Sequence, residues 1–543
     1  MAVRAIVHVS DLHFGRAVDG DDGPSCDGLV DAAKRIFHEL GSPPDLLAIT
    51  GDVFDDPKRA MKQVASFVGV LRRLRAALGG GVQTAIVPGN HDRRTEGVFH
   101  PWTNDLFFAL REALAAEPGV TVFGSARSAT EYADAASDAI GLDVVALDST
   151  RVRFGLASAG GVLAPEDILS AAQRLRREGP VVFMLHHHLI PTPVTDASRI
   201  SMKGRSRFQR LVLGKVLPQV LSFADHEELT MTVLGAGTAL SLLHALDRPV
   251  VVLHGHKHYP TARVLAATRR GEGDVMLISA GSAGVREDFA ATNVSARLST
   301  SLNVVRWSDG ALRADTWFFA SGGEHRRVHV RPLLDASVDG NRWAVHPVDD
   351  PPIAKPRVAS DTAAFKLSGF DRDDGRDDLA CDRAVEAQAG EVLSPWKERI
   401  EGAVGCTVDS VLGDIERDGD GPPRLVVKPG APSSYVVHRG ICRTRAALRA
   451  SYGPEDVAPF EWVGLTVRHG CANARLSIRG LSSEVAPFGS VTDLHTGRQW
   501  PAVLEPADDG VALVVAPCPA GHLLRIHWEV PGPDETVDGA AQG

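Results

Sequence analysis

Pro88-Gly89-Asn90-His91-Asp92 is the stretch whose reading decides the fold. A run of β-forming residues, Val82-Gln83-Thr84-Ala85-Ile86-Val87, leads into it, and Arg93-Arg94-Thr95 leads away. The pattern predicts a buried strand that ends in a tight polar turn. Gly89 lets the backbone turn where a Cβ would interfere, so Asn90 and His91 project from the strand's end. An amide oxygen suits a hard cation, and an imidazole beside it moves a proton near neutral pH. One Gly-Asn-His-Asp is an ordinary hydrophilic turn. Its weight comes from four other polar strand ends of the same design.

The outward reading gives strand-like runs alternating with helical ones over the first three hundred residues. Arg4 to Ser10 is a strand ending at Asp11-Leu12-His13-Phe14-Gly15, and Leu29-Val30-Ala33-Ile36-Phe37-Leu40 recurs at helical spacing. Asp45 to Thr50 closes on Gly51-Asp52, and a helix over Val64 to Leu74 follows. Later strands end at Asp148-Ser149, at His186-His187-His188 and at His254-Gly255-His256-Lys257-His258. Pro165-Glu166 opens a helix with proline in a favoured first-turn position. The alternation implies βαβ crossovers and helix-covered sheets.

Near Leu333 the pattern breaks. Residues 333–362, rich in Pro and Asp, read as a linker between a domain over 1–332 and a C-terminal domain over 363–543. The latter is expected to begin with a helix around Ala384 to Ile400. Short strands between Arg424 and Val530 then predict a smaller β-rich, sandwich-like domain.

Composition narrows the class. A chain of 543 residues is too long for one ordinary core, and 44% hydrophobic with 23% charged residues is globular. The net charge of -10 argues against coating nucleic acid by bulk electrostatics. No apolar run reaches membrane-spanning length, so no membrane partner is expected. Ala5-Ile6-Val7-His8-Val9 opens a strand at once, which predicts no signal peptide, a cytoplasmic location and reduced thiols for the six cysteines.

Residues two apart in an extended segment face the same way, so Asp11 with His13, and His256 with His258, are each expected to aim two ligands at one point. With Asp52, Asn90, His91 and the triple histidine they make a mixed oxygen/nitrogen donor set, suited to manganese, iron or zinc. A lone strand-end histidine is more often a solvated or core residue. Five such motifs in order are hard to explain that way.

The order Asp-x-His, Gly-Asp, Gly-Asn-His-Asp, strand-end His, Gly-His-x-His resembles the calcineurin-like metallophosphoesterase superfamily. Ser10 to Gly15 and Leu253 to His258 look most like its cyclic-nucleotide-phosphodiesterase-like branch. The resemblance implies a four-layer αββα sandwich with two divalent or mixed-valence metal ions (Mn, Fe or Zn). It assigns Asp11, His13, Asp52 and His258 to one metal, and Asp52, Asn90, His187 and His256 to the other, with His186 as the alternative to His187. It also implies a metal-dependent phosphohydrolase, by preference a phosphodiesterase, with a metal-bridging hydroxide as nucleophile and His91 as general acid. Asp92 either orients His91 or caps the next turn. Arg93 is a candidate substrate contact, as are Arg205 and Arg207 in the basic run Arg199 to Arg210. The expected partner is a phosphate ester, with nucleotides among the candidates. The alternatives are a nuclease, which would need a basic track for a nucleic acid strand, and a non-catalytic scaffold, which would have lost ligands. For the C-terminal domain a protein partner is the expectation.

Overall fold

The computed structural model describes residues 4–15, 26–55, 60–93, 106–124, 130–150, 161–190, 232–284, 288–291, 294–297, 300–319, 329–348, 358–368, 376–387, 392–393, 407–412, 414–416, 424–426, 433–438, 443–444, 460–467, 470–481, 485–493, 499–507, 509–519 and 521–529. The chain divides into two units, one of residues 1–291 with 297–350, the other of 292–296 with 351–543.

In the first unit, elements follow in the order β1 (Arg4–Val9), α1 (Asp27–Leu40), β2 (Leu46–Thr50), α2 (Ala60–Ala77), β3 (Gln83–Val87), α3 (Asn90–Arg93), α4 (Leu106–Leu114), β4 (Val120–Val122), β5 (Thr130–Tyr132) and α5 (Asp134–Ile140). There follow β6 (Asp143–Leu147), α6 (Pro165–Ala172), β7 (Val181–Met184), α7 (Ala236–His244), β8 (Val250–His254), β9 (Thr261–Leu265) and β10 (Val275–Ser279). After these come β11 (Thr300–Ser308), β12 (Ala311–Phe319), β13 (His329–Asp339) and β14 (Arg342–His346).

One sheet has the order β14-β13-β12-β11-β1-β2-β3-β4 and the other β5-β6-β7-β8-β10-β9. β1 to β4 run parallel, as do β6, β7, β8 and β10. The central strands are buried along their whole length, which is why they read as continuous apolar runs rather than alternating ones. Ile6, Ala48 and Val87 from the first sheet share a core with Val144, Met184 and Leu253 from the second. The outer face of the first sheet packs on α1, α2 and α4 through Ile36, Phe67 and Leu110. The outer face of the second packs on α6 and α7 through Ile168 and Leu243. Two helical layers therefore enclose two sheets, the expected αββα order.

α1 shows how local sequence sets an element. Leu29, Val30, Ala33 and Ile36 make its buried stripe, while Lys34 and Arg35 face solvent. Gly41, with φ 69°, stops it by donating its N–H to Phe37 O at 3.0 Å.

Two expectations need correction. Residues 333–348 are no linker: β13 and β14 extend the first sheet, with Ala336 opposite Val345. Trp343 holds them there, buried against Trp307 (ring centroids 6.0 Å apart), with its backbone N–H donating to Asp274 Oδ2 at 2.9 Å and its indole N–H to Val250 O at 3.3 Å. The helix expected from Ala384 is instead the end of a twelve-residue strand, Arg376–Ala387. That strand pairs with Val358–Ser368 on one side and Ser433–His438 on the other, and this pairing decides its conformation over local propensity. Val392–Leu393, also inside the expected helix, form a short strand paired with Leu425 and Val426, while residues 388–391, 394–400 and 349–357 lie outside the described residues.

The second unit is otherwise as expected, made of β-sheets whose described strands pair antiparallel except for Val358–Ser368, which runs parallel to Cys471–Arg479. Phe365, Leu476 and Leu513 of one sheet share a core with Leu465, Val491 and Ile526 of a second.

Candidate metal centre

Every polar motif leaves the C-terminal end of a parallel strand, the end where open α/β sheets build their sites. The turns there are unusual: Asp11 (φ 54°), His13 (φ 49°), Asp52 (φ 48°), His256 (φ 79°) and His258 (φ 54°) are all left-handed. Each such residue costs about 1–2 kcal/mol and persists only where neighbours over-determine it. They do so here. Asp11 N–H donates to Gly51 O at 3.1 Å and His13 N–H to Asp52 O at 3.0 Å, zipping the first two turns together. His256 N–H donates to Asp11 Oδ2 at 3.0 Å. A Cβ on Gly89 would overlap Asp52, and one on Gly255 would overlap Ser10, so both glycines are required by close approach.

The side chains converge in two groups. In the first, His13 Nε2 lies 2.9 Å from His258 Nε2, and His258 Nε2 lies 3.3 Å from Asp11 Oδ1. In the second, His186 Nε2 is 3.2 Å from Asp52 Oδ2, 3.0 Å from Asn90 Oδ1 and 3.1 Å from His256 Nδ1. Asp52 also accepts the His91 N–H on Oδ1 at 2.9 Å. The expectation that His256 and His258 aim at one point is thus corrected. They sit beyond the strand in left-handed turns, where strand alternation no longer holds, and each joins a different group.

The donor chemistry fits cations. Ring nitrogens meet nitrogens and carboxylates at a common point, with Asp11, His13, Asp52 and His186 almost wholly buried. Burial opposes ionising Asp11, but His258 holds its carboxyl below the usual range; burial likewise opposes Asp52, which His186 and His91 hold well below. Burial disfavours a charged His186, yet Asp52 takes it up to about 9. Buried carboxylates ringed by imidazoles form a donor set that could hold a metal ion.

Of the triple histidine, His186 stands in the group and His187 does not. His187 Nδ1 lies 2.9 Å from Ser149 Oγ, which also accepts the His186 and His187 N–H groups. His186 Nδ1 donates to Thr50 O at 2.8 Å and so turns Nε2 toward Asp52. Asp92 is fully buried and accepts Gly89 N–H at 2.8 Å and Phe54 N–H at 2.9 Å, the turn-capping alternative. Burial, then Asp52, push its carboxyl up to about 7. The Arg93 guanidinium pairs with Asp148 Oδ2 at 3.0 Å and donates to Gly124 O at 2.5 Å. Arg94 and the run Arg199 to Arg210, with Arg205 and Arg207, lie outside the described residues.

Asp55 was not anticipated. Its Oδ1 lies 3.3 Å from His13 Nδ1, and its carbonyl oxygen accepts from His91 Nδ1 at 3.0 Å. The signal was present in Gly51-Asp52-Val53-Phe54-Asp55, an acid three residues beyond Asp52.

Residues 4–260 match the family model of the calcineurin-like phosphoesterases, and this part of the chain is a metallophosphoesterase domain. Among solved structures, a dimetal phosphatase from Danio rerio is similar at 13% identity and TM-score 0.35, over 61% of this chain and 98% of that one. A purple acid phosphatase from yellow lupin seeds is similar at 12% identity and TM-score 0.36, over 60% of this chain and 53% of that one. Vacuolar protein sorting 29 from Cryptosporidium parvum is similar at 12% identity and TM-score 0.23, over 62% of this chain and all of that one. No curated protein matches the chain. Among the described residues no helix is long and apolar enough to cross a membrane.

Proposed function

We propose that the first unit hydrolyses phosphate diesters with two bound divalent or mixed-valence metal ions. The observation that carries this is the meeting of seven side chains, from the ends of β1, β2, β3, β7 and β8, in two adjoining groups. Asp11, His13, Asp52 and His258 would hold one ion. Asp52, Asn90, His186 and His256 would hold the other, with His186 in the place first given to His187 and Asp52 shared. Two ions so held supply Lewis acidity toward a phosphoryl oxygen and a nucleophilic oxygen at neutral pH.

The chain's own residues do the rest. Thr50 O fixes the His186 ring through Nδ1, and Asp55 faces Nδ1 of His13, outer contacts that set which nitrogen meets the ion. His91, whose ring is held through Nδ1 by the Asp55 carbonyl, is the group that protonates the leaving oxygen. Asp92 positions this turn rather than touching substrate. The preference for diesters rests on the likeness of Ser10 to Gly15 and Leu253 to His258 to the cyclic-nucleotide branch.

The test is a panel on manganese-, iron- and zinc-loaded protein: cyclic nucleotides, bis(p-nitrophenyl) phosphate, phosphomonoesters and single-stranded DNA. Turnover of the diesters with little on monoesters supports the proposal. Selective turnover of monoesters or of DNA refutes the diester assignment, and no turnover with two metals bound refutes hydrolysis.

A further inference from the structure

Two thiols in the core of the second unit stand opposite one another across an antiparallel pair. Cys471 opens the strand Cys471–Arg479, and Cys518 follows the neighbouring strand Gly510–Val515. They exchange both main-chain hydrogen bonds, Cys471 N–H to Cys518 O and Cys518 N–H to Cys471 O, each 2.9 Å. Reciprocal bonding defines directly opposed residues with Cα atoms about 5.5 Å apart. That spacing falls inside the roughly 4.4–6.8 Å that a disulfide spans. Side chains of opposed residues leave the same face of a sheet. The Cys518 thiol donates to Pro519 O at 3.7 Å, and the neighbouring Cys471 thiol, followed by burial, pushes Cys518 above its ordinary range. Both residues are fully buried, in a core with Val467, Leu476 and Trp528.

We propose that Cys471 and Cys518 form a disulfide when the protein meets a disulfide oxidant, either a low-molecular-weight disulfide or an oxidised protein dithiol. One cysteine, as thiolate, attacks a sulfur of the oxidant and releases the first oxidant thiol. The second cysteine, as thiolate, attacks the mixed disulfide at the protein sulfur and releases the second. The protein thiols lose two protons and two electrons in all, and the oxidant disulfide gains them as two thiols. Burial slows both attacks, so the step proceeds where the strands open. The bridge stands outside the main ladder, at an end where hydrogen bonds break first. Once formed, the bond closes a loop that contains the strands Phe488–Asp493, Gln499–Ala502, Leu504–Ala507 and Gly510–Val515. It therefore restricts the unfolded chain across much of this sheet system.

Cys26 provides an internal control. It lies buried in the other unit, its thiol pushed by burial up to about 12.

The experiment incubates the full chain with oxidised glutathione in urea below the unfolding midpoint, then denatures it in alkylating agent and maps the peptides by mass spectrometry. The expected result is a peptide carrying Cys471 joined to one carrying Cys518 by a bond that dithiothreitol cleaves, with Cys26 alkylated. The oxidised protein should melt roughly 5–10 °C above the reduced one. Cys471→Ala and Cys518→Ala should each abolish that difference. Recovery of both cysteines alkylated, or of either one joined to a different cysteine, overturns the proposal. The wild-type map decides this even where a variant does not fold.

Discussion

Residues 4–284 and residues 333–387 make an instructive pair. In the first region strand, helix and turn each carry their own local signal: β1, β2 and β3 lie within a residue of the expected strands, although α2 is longer than expected and β4, β5, α5 and β9 had no expectation. In the second, Pro- and Asp-rich sequence suggested a linker and a helix was expected from Ala384, yet both stretches contain strands. The difference lies in what stabilises each strand. β2 and β7 are apolar throughout because both faces are covered. β14 is anchored by Trp343 and by Arg342, whose Nη1 donates to Asp274 Oδ1 at 2.9 Å, partners some seventy residues away. A strand held by distant partners leaves little trace in its own composition.

The contrast can be broken or sharpened by measurement. The largest effect is expected for Asp52→Asn, which weakens both proposed metal groups together. Turnover should fall by about 10⁴-fold or more, with loss of bound metal by mass spectrometry. Two retained ions and a near-normal rate would show that Asp52 is not shared. Next, His91→Ala should keep its metals and lose about 10²–10⁴-fold on a ribose or alkyl leaving group, with a small loss on p-nitrophenolate. Equal losses on both would assign His91 to positioning instead.

The third test addresses the misread region. Trp343→Ala should destabilise the first unit by about 3–5 kcal/mol, read from denaturant unfolding. Truncation after residue 332 cuts through β13 and should leave an unstable fragment, whereas truncation after residue 350 should leave a folded one. Equal stability of the two fragments would restore the linker reading of residues 333–348.

The smallest effect concerns the second unit. Burial, and then Arg525, take the His527 imidazole down to about 4, while Ser490 Oγ lies 2.8 Å from its Nε2. A histidine depressed below its unfolded value of about 6.5 stabilises the fold above that pH and loses the contribution as pH falls from there toward about 4. The melting temperature should therefore decline across this window, and His527→Gln should flatten the decline. An unchanged slope in the variant would place the acid sensitivity elsewhere.

By itself the sequence determined the alternation of the first unit, its helix-covered sheets and most of the residues that gather at the strand ends, while the αββα order followed from the family resemblance those motifs carry. The first three are properties of local pattern: apolar runs long enough for one buried strand, closed by glycine, aspartate, asparagine or histidine. Tertiary structure alone decided that His186 rather than His187 faces Asp52, since Thr50 O and Ser149 Oγ take the two rings in different directions. It alone sent His256 and His258 to different groups, because both lie in left-handed turns where strand alternation has ended. It alone brought Asp55 to His13 and His91, and set Cys471 against Cys518 across 47 positions of sequence. Such pairings depend on register and on backbone hydrogen bonds between distant segments, and a linear pattern does not encode them residue by residue.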